Sequence, residues 1–373
     1  MLFWLGLELN QFWGPFRLLS SHLILLAIGT LVAGLLVWSR LPKLWHRLPG
    51  DRGKIIAADG GVQSLGKPTG AGWFMSLLML PVIALVTPPD PWIYGVLACL
   101  YLAMWFGYQD DRSEIPWGEW RKGSLDMVVA LVAAVCLCHC EPVKMWLPVY
   151  KETIIIPVWF YIPMAACLLW FTMNATNCSD GVDGLAGSLT LLSLFSLAIL
   201  LYGVVGYRPL ANYLRVPLNA DGAKWAILVS TVAGALAGYL WHNAEPSRVL
   251  MGDAGSRLLG LLVGVAVLVA GNPFLIFVVS PVVLVNGGTG LLKVIILRML
   301  KRVGFNTTPP GKTTPEAFSE QHVIVRTLHA IRFPLHDHCR KNMKWSNAQV
   351  LMRFMLVQAF LTPLLFVLLL KIR

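Results

Sequence analysis

About ten apolar runs, each near the ~20 helical residues that cross a hydrocarbon core, constrain this chain more than anything else in it. They lie near Leu19 to Trp38, Ala71 to Val86, Trp92 to Phe106, Leu125 to Cys138, Ile154 to Phe171, Leu185 to Val205, Trp225 to Trp241, Leu258 to Ala270, Phe274 to Leu297 and Val350 to Leu370. Lipid offers the backbone no hydrogen bonds, so such runs must close on themselves as helices. With 57% hydrophobic residues, 13% charged and a mean hydropathy of +0.67, the 373 residues are too apolar for an ordinary soluble domain. The expected fold is an all-α polytopic membrane protein of about ten transmembrane helices, one domain over residues 1 to 373. Residues 1 to 18 are apolar and aromatic but carry Glu8 and lack a basic start and a small-residue cleavage site, which predicts an interfacial helix rather than a removed signal. Residues 298 to 347 form the longest polar stretch, and the spacing of Phe318, Val323 and Leu328 predicts a short helix over Glu316 to Ile331. No fixed-period repeat is evident.

Charge sets the orientation. Basic residues concentrate after odd-numbered runs (Arg40, Lys43, Arg47, Arg52, Lys54, Lys67; Arg112, Arg121, Lys122; Arg298 to Lys344), whereas Lys144, Lys151, Arg208 and Arg215 follow even ones. By the positive-inside rule the odd loops are cytoplasmic. The net charge of +11 therefore belongs mainly to that face, where it attracts anionic membrane lipids and phosphorylated substrates. No basic stripe interleaved with aromatics on a soluble domain points to nucleic acid.

Three acidic clusters also follow odd runs and so share the cytoplasmic side: Asp110-Asp111, Asp180 with Asp183, and Asp253. Carboxylates at membrane edges suggest a site. Asp110-Asp111 suits either a solvated helix end or a locus for a divalent cation or phosphate, with Arg112, Arg121 and Lys122 nearby. In Asn174 to Gly187, a helix cap would use one or two residues. Two amides, two acids and three glycines exceed that need and fit a pocket where backbone amides approach phosphate or sugar. Asp253, between Gly252 and Gly255, is either a cap or a carboxylate that holds Mg²⁺. His336-Asp337-His338, with Arg340, Lys341 and Lys344, offers too few ligands for zinc. It reads as a solvated basic loop or as a contact to substrate phosphates. Cys136, Cys138 and Cys140 flank a helix end where alternate side chains diverge, so they read as small apolar filler. Cys178 and Cys339, in reducing loops, are not expected to pair.

At these residues the chain resembles the polyprenyl-phosphate N-acetylhexosamine-1-phosphate transferase superfamily over nearly its whole length. Gly66-Lys67-Pro68-Thr69-Gly70-Ala71-Gly72 is similar to that superfamily's Gly-Thr-Pro-Thr-Met-Gly-Gly, Gly107 to Asp111 to its Gly-Phe-x-Asp-Asp, and Val249 to Ser256 to its Val-Phe-Met-Gly-Asp-x-Gly-Ser. Asn174 to Gly187 resembles its Asn-Ala-x-Asn-Leu-Thr-Asp-Gly-Leu-Asp-Gly-Leu-Ala segment. Pro334 to His338, with Val350, Arg353 and Phe354 after it, is similar to the muramoyl branch. The resemblance implies both termini outside, a cytoplasmic-face active site in a bacterial inner membrane, Mg²⁺, often a homodimer, and two substrates: a UDP-linked muramoyl-pentapeptide and undecaprenyl phosphate. Carried over by residue, Asp253 would be the metal ligand and Asp110 and Asp111 would handle the lipid phosphate. Asn177, Asp180, Asp183 and Asn243 would bind the donor; Lys122, His336 and His338 would supply positive charge.

This chain departs from the pattern in single residues and in two segment lengths. The family's middle histidine is Asp337, the aromatic that packs on uracil is Leu250, and Ser64 takes the place of a lysine while Lys67 enters the turn. The segment from Asp111 to Lys122 is shorter and the polar stretch after Arg298 longer. The carboxylates are untouched, so the donor side is where a sister transferase using UDP-N-acetylglucosamine is the nearest alternative. A transporter or scaffold would instead place ionisable residues in mid-span.

Overall fold

The computed structural model describes residues 1–51, 64–309 and 321–371. Arg52, Lys54 and the Glu316 to Glu320 start of the expected loop helix lie outside the described residues. The chain opens with a short helix, α1 (Leu2–Leu9), and a 3-10 turn, Gly14–Ser20. The first seven spans are α2 (His22–Leu44), α3 (Ala71–Val86), α4 (Pro91–Arg112), α5 (Glu119–Cys138), α6 (Val158–Ser179), α7 (Leu185–Ile199, continuing to Val205) and, after a short α8 (Arg208–Tyr213), α9 (Gly222–Asn243). Then come α10 (Gly252–Val269), a broken ninth span and, last, α16 (Asn347–Lys371). Among the described residues, eight helices are long and apolar enough to cross a membrane. The two remaining helices expected to span are α3, only 16 residues, and α5, whose first turn is charged. At ~1.5 Å per residue α3 reaches ~24 Å, short of a ~30 Å core.

Position in the bundle follows from which helices are apolar all round. Fifteen of the 18 residues of α10 are buried, and α10 packs against α3, α4, α6 and α7; α2 and α16 have few buried residues and turn most of their surface to lipid. The tightest helix pair is α2 with α9, where Gly234 and Gly238 lie against Thr30 and Gly34 in the small-residue packing typical of membrane helices.

The ninth run, expected as one helix from Phe274 to Leu297, is instead broken into α11 (Leu275–Val279), α12 (Pro281–Val283), a wide π-helical turn at Leu284–Gly288 and α13 (Thr289–Arg302). Pro281 has no N–H to continue the ladder, and Ser280 leaves helical geometry at φ −133°, ψ 40°. The carbonyl freed at Val279 accepts from Ser193 Oγ at 2.7 Å and from Gln358 Nε2 at 3.4 Å. A break at membrane depth survives only when such partners exist. Two further helices occupy the polar stretch, α14 (Val323–Ala330) and α15 (Leu335–Lys341); the His336-Asp337-His338 segment is thus helical, not a loop.

On the face away from the acids, Val143–Met145 (β1) pairs antiparallel with Ile154–Ile156 (β2). Ile154, expected to open the fifth span, is a strand residue because three β-branched isoleucines precede Pro157, which disfavours helix in the residue before it. The hairpin is docked by Trp146, fully buried, whose Nε1 donates to Ala270 O at 2.8 Å. Met1 and Lys371 both lie on this face: the Met1 amine donates to Leu85 O at 3.0 Å, and Lys371 sits beside Tyr213 and Arg215. Trp146→Phe should cost about 1–3 kcal/mol by orphaning the Ala270 carbonyl, and Trp146→Ala about 3–5 kcal/mol by opening a cavity as well. Thermal unfolding in detergent should rank the three proteins in that order; an alanine variant as stable as wild type would show that the hairpin does not depend on this anchor.

Candidate active site

The acids predicted to share a face do meet, and the helix ends decide how. Asp110 and Asp111 are consecutive on α4, so their side chains leave about 100° apart and take different partners. Asp111 reaches the buried start of α10: the N–H groups of Asp253 and Ala254 donate to its two oxygens at 3.0 and 3.1 Å. It caps that helix from outside it. The approach requires glycine at position 252, where φ is +70° and a Cβ would lie 2.3 Å from Asp111 Oδ2. Asp110 turns instead to the loop after α4, accepting from Trp117 N–H at 2.8 Å, and forms an ion pair with Lys122 at the start of α5. Lys122 Nζ also lies 3.2 Å from Asp253 Oδ2. The short segment between Asp111 and Lys122 therefore still delivers the lysine between two carboxylates.

Behind this pair sits an ion pair that inspection of the sequence missed. Arg257, one turn after Asp253 on α10, donates from Nη1 to Asp126 Oδ1 at 2.6 Å and from Nη2 to Asp253 Oδ2 at 3.3 Å. Asp126 and Arg257 are 1% and 2% exposed, so neither ion is stable there alone. Asn174 Nδ2 contacts Asp126 at 3.3 Å. The signal was present: Asp126 lies inside the apolar run Leu125 to Cys138, where a charge needs a partner. The result is an alternating relay across three helices, Asp110, Lys122, Asp253, Arg257, Asp126.

Beside the relay opens a polar cleft. Its wall includes Asp111, Asp253, Asn177, Asp180, Asp183 and Asn243, together with Asp51, Ser64, Lys67, Leu250, Arg340 and Asn347. Lys67 Nζ lies 3.6 Å from Asp183 Oδ2 and donates to Ser247 Oγ at 3.1 Å; Ser247 N–H donates to the same Asp183 oxygen at 3.0 Å. Asn243 is tied into the scaffold at both ends, accepting from Gly184 N–H and donating to Val249 O, each at 2.8 Å. It fixes the shape of the wall that it lines.

His336 is 3% exposed and stands directly over Gly181, where a Cβ would fall 2.1 Å from its Nε2. The helix α15 that carries it is held down by an apolar cluster of Ala175, Val182, Leu185, Cys339, Val350 and Phe354. Within that cluster burial holds the Cys339 thiol above its ordinary range, so it is inert filler. His338 is turned another way, its Nδ1 accepting from Arg332 N–H at 3.4 Å. All seven cysteines are free thiols.

Residues 93–271, which hold the relay and most of the cleft, match the family model described as Glycosyl transferase family 4. A protein of Treponema pallidum, phospho-N-acetylmuramoyl-pentapeptide-transferase, is 42% identical over 98% of this chain and 95% of its own length. Proteins of the same name from Bartonella quintana and Ruegeria pomeroyi are 27% and 25% identical, over 89% and 97% of this chain and of theirs. The chain belongs to the phospho-N-acetylmuramoyl-pentapeptide-transferase family.

In this family member the relay fits the Mg²⁺ that the resemblance implies. Asp110, Asp111, Asp126 and Asp253 outnumber Lys122 and Arg257 by two formal charges, the charge of one divalent cation. Lys122 already occupies the gap between Asp110 and Asp253, a place suited to a cation. Among the described residues no three His, Cys, Asp or Glu side chains form a closed metal cage. An open site of one or two carboxylates, completed by substrate phosphates, is how Mg²⁺ is ordinarily held.

Removing one member of the buried pair leaves the other charged and unpaired. Asp126→Ala should destabilise the protein by about 3–5 kcal/mol, whereas the double change Asp126→Leu with Arg257→Met should recover much of that loss. Equal melting of the single variant and wild type would mean that the pair is not the buried anchor described here.

Proposed function

We propose that the chain transfers the phospho-N-acetylmuramoyl-pentapeptide group from its UDP donor to undecaprenyl phosphate, forming lipid I and releasing UMP at the cytoplasmic face of the bacterial inner membrane. The 42% identity over 98% of the chain to a phospho-N-acetylmuramoyl-pentapeptide-transferase carries this reading. The geometry supports it: a charged relay at the membrane edge stands beside a polar cleft whose wall, from Lys67 to Arg340, carries the acids, amides and cations that suit a nucleotide sugar. The exposed apolar belt faces membrane lipids, and a second copy of the chain is the expected partner.

An oxygen of the polyprenyl phosphate attacks the sugar-linked phosphorus. The new P–O bond forms as the phosphoanhydride bond to UMP breaks, and UMP leaves with that electron pair. A phosphate monoester with a second pKa of ~6 is mostly ionised at neutral pH, so the main obstacle is repulsion between two anions. In this reading Asp253 would hold Mg²⁺, which would supply charge neutralisation on the transferring phosphoryl oxygens. Lys122, released from Asp110 or Asp253 as phosphate enters, stabilises the developing negative charge. Arg257 keeps the Asp253 carboxylate aimed outward from α10. Asp110 positions the acceptor phosphate or takes its residual proton; Asp111, spent largely on capping α10, positions the metal-binding helix. Asp180, Asp183 and Asn177 line the donor side with Lys67, and His336 packs against Gly181 of that wall.

Purified protein given undecaprenyl phosphate, Mg²⁺ and a panel of UDP-sugars should release UMP only with the muramoyl-pentapeptide donor. Turnover with UDP-N-acetylglucosamine instead would favour the sister activity, and none with any donor would sink the enzyme reading. Asp253→Asn should lower kcat by about 10²–10³ at saturating Mg²⁺, the scale for loss of one electrostatic stabiliser; a near-wild-type rate would remove Asp253 from the metal role. If Asp110→Asn recovers fully at about pH 9, where the lipid phosphate is wholly ionised, its role is that of a base; persistent loss marks positioning.

A further inference from the structure

Asn286 sits inside the apolar ninth run, at the centre of the wide turn Leu284–Gly288, and is fully buried. A buried amide in such a place needs a reason. Its Oδ1 accepts twice from one residue: from the backbone N–H of His336 at 2.9 Å and from His336 Nδ1 at 3.1 Å. The first contact decides the chemistry of the second. A backbone N–H can only donate, so the amide atom facing it must be the oxygen and not the nitrogen. That same oxygen faces Nδ1, which must then carry a proton as well.

We infer that Asn286 is a positioning residue that locks His336 in the Nδ1-protonated tautomer and so places its exchangeable proton on Nε2, at the cleft wall over Gly181. Neutral, the ring presents Nε2 as a lone pair against Gly181 of the cleft wall; charged, it presents a proton there. In neither state is Nδ1 available for the chemistry. Gly181 makes room for the ring edge, and the charged groups around it are Asp337, whose Oδ1 is 3.9 Å from Nε2, Asp180 and Asp183 on the Gly181 junction, and Arg340 one turn along α15. The wide turn is the reason the amide can reach: π-helical turns shift side-chain register and recur at functional sites. Which of two ring nitrogens is reactive is set by the hydrogen bond that the other makes.

The kinetic half of this inference rests on the transferase reading; the tautomer itself does not. Protein carrying ¹⁵N-histidine, in bilayers at about pH 9 where an ordinary imidazole is neutral, should show His336, assigned by difference against His336→Gln, as the Nδ1–H form. Asn286→Leu should lose that signature and lower kcat for UMP release by about 10²-fold, the lower range of what a positioned acid or base contributes, with KM for both substrates little changed. Asn286→Asp, which keeps an acceptor of the same shape, should restore both the Nδ1–H signal and most of the rate. A wild-type His336 protonated on Nε2, an Asn286→Leu protein that keeps the wild-type spectrum and kcat, or an Asn286→Asp protein no better than the leucine variant would each overturn the assignment. Absence of turnover with every donor, alongside an intact Nδ1–H signal, would count against the transferase reading alone.

Discussion

Backbone groups freed at helix ends cannot be left bare at membrane depth, and this one constraint organises both the fold and the site. The buried start of α10 is the clearest instance. Its first N–H groups are met by Asp111 from α4, a residue 142 positions away from Asp253 in the chain. Gly184 N–H, near the start of α7, is met by Asn243 from the end of α9. The carbonyl exposed by the break at Pro281 is met by Ser193 from α7. Each solution draws in a polar side chain from another helix, so the helix ends that must be satisfied are also the places where polar groups gather.

The charge relay extends the same logic to side chains. A guanidinium as deeply buried as that of Arg257 is tolerable only with carboxylates on both prongs of its fork. Asp253 is thereby held between Arg257 behind and Lys122 in front, with Asp110 beyond. The relay grades from wholly buried at Asp126 to partly open at Asp253, so the uncompensated negative charge is presented at the cleft rather than inside the bundle. This is where a divalent cation and anionic phosphates would be most favourably received.

Much of this was legible in the sequence. Run length gave the helices, and parity with the loop charges put Asp110, Asp180 and Asp253 on one face. The motif resemblance named Lys122 even across a shortened loop, and the structure sets it against Asp253. Other features were hidden. Adjacent aspartates read as a matched pair, but on a helix neighbours diverge, and only the position of α10 shows that Asp111 caps while Asp110 pairs with lysine. Asp126 and Arg257 lie 131 positions apart and look like stray charges until α5 and α10 are packed together. The isoleucines of β2 carry the same hydropathy as a span, and their pairing with β1 depends on a partner strand that hydropathy does not reveal.

The sequence by itself determined that the chain is an all-α membrane bundle, the side on which the acids collect and the kinds of chemistry that they can support, because all of these depend on local composition and on counting along the chain. Only the tertiary structure decided which carboxylate caps, which pairs and which faces the cleft, and that Asn286 in an apolar run holds His336. Hydrogen bonds and ion pairs are directional and short-ranged, so their partners are chosen by how helices distant in sequence come to lie side by side.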